Sequence, residues 1–271
     1  MNTIYRDLLV HKYLHRPYKL HTVDHGGHGP VIIFLHGLAS SSANWSELIP
    51  LLQPRYRCIT IDLIGFGESP KPQWYGYTID DHLFNIHGAV KSLRLKEPFI
   101  LVGHSLGSLL ATRYARIHPG IIRQLLLLSP PIYTPLDSIE SRSARQRTSL
   151  YLRAYRFIRT HPKVTPDNIF RLTQILPQMK FLTLNRAIWI PFMRSLEQCI
   201  ENQTLLEDIR KVRAPIDIFY GLFDEVIVPY NIKQTAKIHD VTIHPLRVNH
   251  IVGKRYAASV AKVLANDTTR T

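Results

Sequence analysis

An α/β fold, doubly wound around a mainly parallel sheet, follows from three features of the sequence. Short apolar runs at residues 31–35, 99–102 and 124–128 have the pattern of strands buried on both faces. Amphipathic helical segments alternate with these runs, the rhythm of βαβ units with right-handed crossovers. The third feature is Gly103-His104-Ser105-Leu106-Gly107, a G-x-S-x-G pentapeptide between one such run and a helical segment.

The elements follow in chain order. Residues 18–24 alternate well enough for an edge strand, and Gly26, Gly27, Gly29 and Pro30 then mark a turn. The strand over 31–35 runs into His36-Gly37-Leu38. Asn44 is placed to cap a helix through Leu52 that buries Trp45 and Leu48. Residues 55–61 supply a further strand, ended by the glycine-dependent turn from Asp62 to Ser69. Thr78 caps a helix with an apolar stripe of Leu83, Ile86, Val90 and Leu93. After the pentapeptide, the helix over 106–117 and the strand over 124–128 complete the first half. The rhythm stops at Pro130 and returns with strands at 215–220 and 241–245 and a closing helix over 251–264. The intervening residues read as helical segments over 138–160, 165–176 and 183–200, broken at Pro162, Pro166, Pro177 and Pro191.

Composition narrows the class. The 271 residues are 45% hydrophobic, enough for one large domain with an insertion. No apolar run approaches the ~20 residues that span a bilayer, and the N-terminus lacks the apolar block of a signal peptide. The two cysteines, Cys58 and Cys199, fall in separate elements, which favours a reducing cytoplasm over a disulfide framework. A net charge of +14 favours anionic surfaces in general. No nucleic-acid-binding motif accompanies it, so no nucleic-acid partner is expected and peripheral contact with anionic lipid is the sharper alternative to a solvated basic surface. His11 and His15 stand four apart, as helical metal ligands would, but no acidic or cysteine partner is evident. No metal and no cofactor are expected.

The chemistry centres on Ser105. In a tight strand-to-helix turn its hydroxyl is exposed at the C-terminal edge of the sheet, near the positive end of a helix. A serine hydroxyl is a weak nucleophile until a base takes its proton, and that base needs a third group to orient it. Loops at the same sheet edge supply candidates in the order such scaffolds use: Asp224 after the 215–220 strand, with Glu225 as the fallback, and His250 after the last strand. Ser105 is then the nucleophile, His250 the general base and acid, and Asp224 the orienting carboxylate. Backbone N–H groups of Leu106 and Leu38 are the expected oxyanion donors. His36 and His104 fit loop support through hydrogen bonds.

These landmarks, His36-Gly37, Asp62-x-x-Gly65-x-Gly67-x-Ser69, the pentapeptide, Asp224 with Pro229, and His250, together resemble the α/β-hydrolase superfamily over residues 18–266. The resemblance implies a sheet of about eight strands, with residues 1–131 and 211–271 as the core and 132–210 as an inserted helical cap. Asn249 stands where many relatives have glycine. Relatives that open epoxides or displace halide carry aspartate at the nucleophile position, and Ser105 argues against both. C–C bond hydrolases often carry asparagine before the serine, where this chain has His104. The implied function is hydrolysis of carboxylic esters with small or medium acyl chains through an acyl-enzyme. A C–C bond hydrolase, a thioesterase, an acyltransferase and a non-catalytic ligand-binding protein are the alternatives. The insertion's Tyr151, Tyr155, Phe157, Phe170, Phe181, Trp189 and Phe192 are candidates for an acyl pocket. Its Arg142, Arg145, Arg147, Arg153, Arg156, Arg159 and Arg171 are candidates for a basic outer face.

Overall fold

In the computed structural model, which describes residues 3–161, 164–168 and 184–266, every strand pairing but that of the first strand is parallel. The strands are β1 (Thr22–Asp24), β2 (Val31–Leu35), β3 (Arg57–Ile61), β4 (Phe99–His104), β5 (Ile122–Leu128), β6 (Ile216–Gly221) and β7 (Val241–Leu246). They form one seven-stranded sheet in the order β1-β3-β2-β4-β5-β6-β7, with β1 antiparallel to β3. Among the described residues the sheet has seven strands, in line with the expectation of about eight. Upstream of β1 the chain forms a short helix, α1 (Thr3–Asp7), continued by a π-helical turn over Leu8–Tyr13, so it adds no further strand.

Alternation along the strands divides the interior into two layers, because successive side chains point to opposite faces. Ile32 and Phe34 of β2, Ile100 and Val102 of β4, and Leu126 and Leu128 of β5 pack with Trp45, Ile49 and Leu52. The closing helix completes this layer through Tyr256, Val260 and Leu264. Ile33 and Leu35, Leu101, and Leu125 and Leu127 face the other way, onto Leu83, Ile86, Leu110 and Tyr114. Helices α2 (Ile49–Leu52) and α9 (Lys254–Asn266) cover the first face. The second is covered by α3 (Ile79–Ser92) and α4 (Leu106–Ile117). This double coverage explains why the central strands read as unbroken apolar runs.

Local signals account for most boundaries. Thr78 begins α3 with a capping box: its hydroxyl accepts from the Asp81 N–H while the Asp81 carboxylate accepts from the Thr78 N–H. The cap expected at Asn44 lies instead at Ser41, whose hydroxyl accepts from the Ala43 N–H and opens a 3₁₀ turn over Ser42–Trp45. α2 then starts separately, with Pro50 in its first turn.

The segment between β5 and β6 holds a 3₁₀ turn at Leu136–Ser138 and then α5 (Arg142–Thr160), capped by Ser141. Next come α6 (Trp189–Ser195), a π-helical turn over Leu196–Glu201, and α7 (Leu205–Ile209). Most of the helix expected over 165–176 lies outside the described residues, as do Phe170, Arg171 and Phe181. Helix α8 (Pro229–Thr235) lies between β6 and β7.

Three of the buried histidines are His36, His82 and His104. Burial pushes all three below the ordinary histidine value, His82 and His104 down to about 3. The unfolded chain binds protons on these rings below about pH 6.5 while the native chain does not, so their contribution is fully present above that pH and is lost as pH falls. Urea unfolding is expected to show a midpoint that falls between pH 7.5 and pH 5. The non-titrating variant His82→Gln should flatten that slope, and an unchanged slope in the variant would contradict this origin.

Candidate active site

Ser105 sits where β4 meets α4, with φ +51° and ψ −117°, a region that costs an ordinary residue roughly 1–3 kcal/mol. Backbone bonds hold it there: its N–H donates to the Leu128 carbonyl at 2.9 Å, and its carbonyl accepts from the Ser108 N–H at 2.9 Å. Its hydroxyl does not cap α4. The turn requires glycine on both sides. A Cβ at position 103 would stand 2.3 Å from the Gly107 carbonyl oxygen, and one at position 107 would stand 2.1 Å from that of Leu35. Strand, helix and the β2 loop therefore approach more closely than any side chain permits.

β6 and β7 end at the same edge, and the loops that follow them carry Asp224 and His250. The two loops are joined by the Leu222 N–H to the Leu246 carbonyl and the Phe223 N–H to the Val248 carbonyl. His250 Nδ1 lies 2.8 Å from Asp224 Oδ2. A carboxylate only accepts, so a ring proton sits on Nδ1, and in the neutral ring the lone pair is then on Nε2. His250 is 6% exposed and Asp224 1%, so the pair is largely withdrawn from water. Burial pushes the Asp224 carboxyl up. The facing imidazole, the Ser129 hydroxyl and the Val226 N–H outweigh that and leave it below the usual carboxylate range. Glu225, the fallback carboxylate, lines the neighbouring cavity.

Ser105, His104, Gly37, Leu38 and His250 line one cavity of about 280 Å³. Its far walls come largely from the β5–β6 insertion: Tyr151, Tyr155, Ile158, Leu184, Phe192, Leu196 and Ile200. Of the aromatics singled out in the sequence, Tyr151, Tyr155 and Phe192 reach the cavity. Trp189 packs against Phe192 with ring centroids 6.0 Å apart, and Phe157 is exposed. The arginines divide as well. Arg145 donates to the Ile139 carbonyl, Arg147 to that of Asp224, and Arg159 pairs with Glu197 and Glu201. Arg142, Arg145, Arg153 and Arg156 are exposed on the outer face.

His36 and His104 have structural bonds. His36 Nε2 accepts from the Leu63 N–H, which leaves Nδ1 to donate to the Gly37 carbonyl and fixes the loop that carries Leu38. His104 Nε2 donates to the His250 carbonyl at 2.9 Å, tying the β4 edge to the β7 loop. Asp62 anchors the glycine turn. Its carboxylate accepts from the Ser42 N–H and hydroxyl and from the Glu68 N–H, and a Cβ at Gly67 would fall 2.1 Å from it. His11 stacks on Tyr18 and bonds the Arg16 carbonyl. Among the described residues, no three histidine, cysteine or acidic side chains cluster as metal ligands.

Three contributors carry no mark in the sequence. Ser129, at φ +48°, bonds the Asp224 carboxylate and lies 3.2 Å from the Tyr256 hydroxyl, which donates to the Phe219 carbonyl. Arg147 reaches the Asp224 carbonyl from α5 at 2.9 Å. Tyr133 donates to the Val226 carbonyl. Only the tertiary packing of the insertion brings Arg147 there. The single available hint is that Ser129 directly follows a buried strand.

A serine in a strained strand-to-helix turn and a buried acid–imidazole pair at the C-terminal edge of a parallel sheet are features of hydrolytic enzymes built on this architecture. The chain belongs to the alpha/beta hydrolase fold family, whose model matches residues 30–241. It is similar to the 2-hydroxy-6-oxo-6-(2'-aminophenyl)hexa-2,4-dienoic acid hydrolase of Metapseudomonas resinovorans, 31% identical over 213 residues, 74% of this chain and 70% of that protein. It is also 45% identical over 107 residues to "Probable lysophospholipase BODYGUARD 2" of Arabidopsis thaliana. That match covers 38% of this chain and 23% of the relative, so this chain spans under a quarter of the plant protein's length. The crystal structure of E-2-(acetamidomethylene)succinate hydrolase superposes with a TM-score of 0.69 at 22% identity, covering 91% of this chain and 94% of the other, a likeness of fold.

The glycine contacts give a stability test. Gly107→Ala is expected to destabilise the protein by about 2–3 kcal/mol in urea unfolding, because the new methyl meets backbone on a packed strand. Gly120→Ala, whose Cβ meets nothing within 4 Å, is expected to be neutral or slightly stabilising. Equal midpoints for the two variants would contradict the close approach.

Proposed function

We propose that this chain is a serine hydrolase that cleaves carboxylic esters of small or medium acyl chains through an acyl-enzyme. One observation carries the reading: the 2.8 Å contact between His250 Nδ1 and Asp224 Oδ2, beside a cavity that Ser105 and His250 both line. In this reading His250 Nε2 takes the Ser105 proton as Oγ attacks the ester carbonyl carbon. The carbonyl π electrons pass to an oxyanion, for which the backbone N–H groups of Leu38 and Leu106 are the proposed donors. Collapse of the intermediate expels the alcohol, which leaves with the proton held by His250. Water then repeats the sequence on the acyl-Ser105, giving the acid and restoring the serine. Asp224, held ionised by its surroundings, keeps the imidazole in the required tautomer and stabilises its charged form.

Residues 1–131 and 211–271 would form the core in this scheme, with 132–210 as a cap that sets the acyl pocket. The apolar wall of Ile158, Leu184, Phe192, Leu196 and Ile200 suits a hydrocarbon chain. Free, buried Cys58 and Cys199 fit a cytoplasmic setting. No helix among the described residues is long and apolar enough to cross a membrane. The exposed Arg153 and Arg156 leave room for a peripheral anionic contact.

A second reading, hydrolysis of a C–C bond in a vinylogous diketone, is supported by the relative from Metapseudomonas resinovorans. It uses the same three side chains, and product analysis separates the two.

Ser105→Ala should lower kcat/KM for a chromogenic butyrate ester by about 10⁴-fold or more while circular dichroism stays unchanged. A fluorophosphonate should label the wild type and not this variant. Asp224→Asn should lower kcat by about 10³–10⁴-fold. Turnover retained in the Ser105 variant would defeat the assignment.

A further inference from the structure

The wall that α5 turns toward the cavity carries two phenols one helical turn apart, Tyr151 and Tyr155, with Ile158 beyond them. Their hydrogen bonds fix what each can offer a ligand. Arg147 Nε donates to the Tyr151 oxygen at 2.7 Å, and a guanidinium has no acceptor. The Tyr151 proton is therefore not used in that bond, and no other described group accepts it.

Tyr155 has the opposite polarity. The Tyr133 hydroxyl donates its only proton to the Val226 carbonyl, which can do nothing but accept. The 2.9 Å contact between the Tyr133 and Tyr155 oxygens is then made with the proton of Tyr155. The Tyr155 oxygen is left with lone pairs alone.

Of the two tyrosines that line the cavity, Tyr151 thus keeps a donor that its bond to Arg147 does not use, and Tyr155 keeps an acceptor. Around them stand Ile158, Leu184, Phe192 and Leu196, which can bond neither. A plain hydrocarbon chain in this space leaves the Tyr151 proton without a partner, a cost that a ligand of matching polarity removes. A single hydroxyl oxygen matches both groups, because it accepts from one and donates to the other.

We propose that the preferred acyl group carries a hydroxyl along its chain, held between Tyr151 and Tyr155. Both are specificity-determining residues. The inference rests on the ester-hydrolase reading and names the substrate class that the same cavity selects.

The test uses the full chain and a set of ethyl hexanoates, unsubstituted or bearing a hydroxyl at C3, C4, C5 or C6, with ethanol release followed above the uncatalysed background. The wild type is expected to favour one hydroxylated ester over ethyl hexanoate by about tenfold or more in kcat/KM. Tyr151→Phe and Tyr155→Phe should each lower that ratio, and the double variant should bring it close to one. Taking the ratio within one variant cancels any loss of folded enzyme.

The matching oxo ester accepts but cannot donate, so its advantage should fall in Tyr151→Phe and persist in Tyr155→Phe. Ratios near one at every position in the wild type, the result expected if water fills the gap, would overturn the proposal. So would a preference that survives both substitutions. Failure of the hydrolase reading is distinguishable, since it would appear as no turnover of any ester and no fluorophosphonate labelling of Ser105.

Discussion

The site depends on how closely three backbones approach at one point of the sheet. Gly103 lets the end of β4 lie against the first turn of α4, and Gly107 lets that turn lie against the end of β2. Ser105 is caught between them with a left-handed backbone and a hydroxyl not spent on helix capping. The local conformation is unfavourable, and the surrounding apolar layers on both faces of the sheet over-determine it. Relaxing either contact would free the turn and remove the reason for the serine to project as it does.

Around that point the polar groups form a chain of fixed directions. His36 and His104 are buried, stay neutral across the ordinary pH range, and each has its tautomer set by one carbonyl it must serve. One orients the loop bearing Leu38, and the other holds the backbone of His250. Neutral rings suit these roles, because a buried imidazolium would lose its hydration. The Asp62 carboxylate does comparable work for the 62–69 turn, binding it to Ser42 across the site mouth.

Much of this was legible from residue order because the constraints are local or topological. Apolar runs marked the buried strands, glycine spacing marked the elbow, and the connectivity placed Asp224 and His250 at one edge. Short-range geometry misled at Asn44, where an equally good capper three residues earlier, Ser41, takes the helix start. The sheet agrees with the expected size to within a strand, and the described residues ahead of β1 form helical turns. The surroundings of the acid were not legible at all. Ser129, Tyr133 and Arg147 come from distant stretches, and an arginine-rich amphipathic helix gives no sign of which guanidinium turns inward. Such choices are made by packing between elements, which no periodicity encodes.

Arg147 joins two parts of the molecule that could otherwise vary separately. It stands on a helix of the β5–β6 insertion, yet one of its nitrogens is bonded to the main chain of Asp224 and another to a phenol on the cavity wall. The part of the molecule that shapes the pocket is thereby fastened to the part that orients the imidazole. Transplanting this insertion onto a sister scaffold, or replacing it with a foreign one, would not exchange selectivity alone. Each graft would also remove a brace on the Asp224–His250 pair, so in this chain the shape of the pocket and the placement of the imidazole are not independently adjustable.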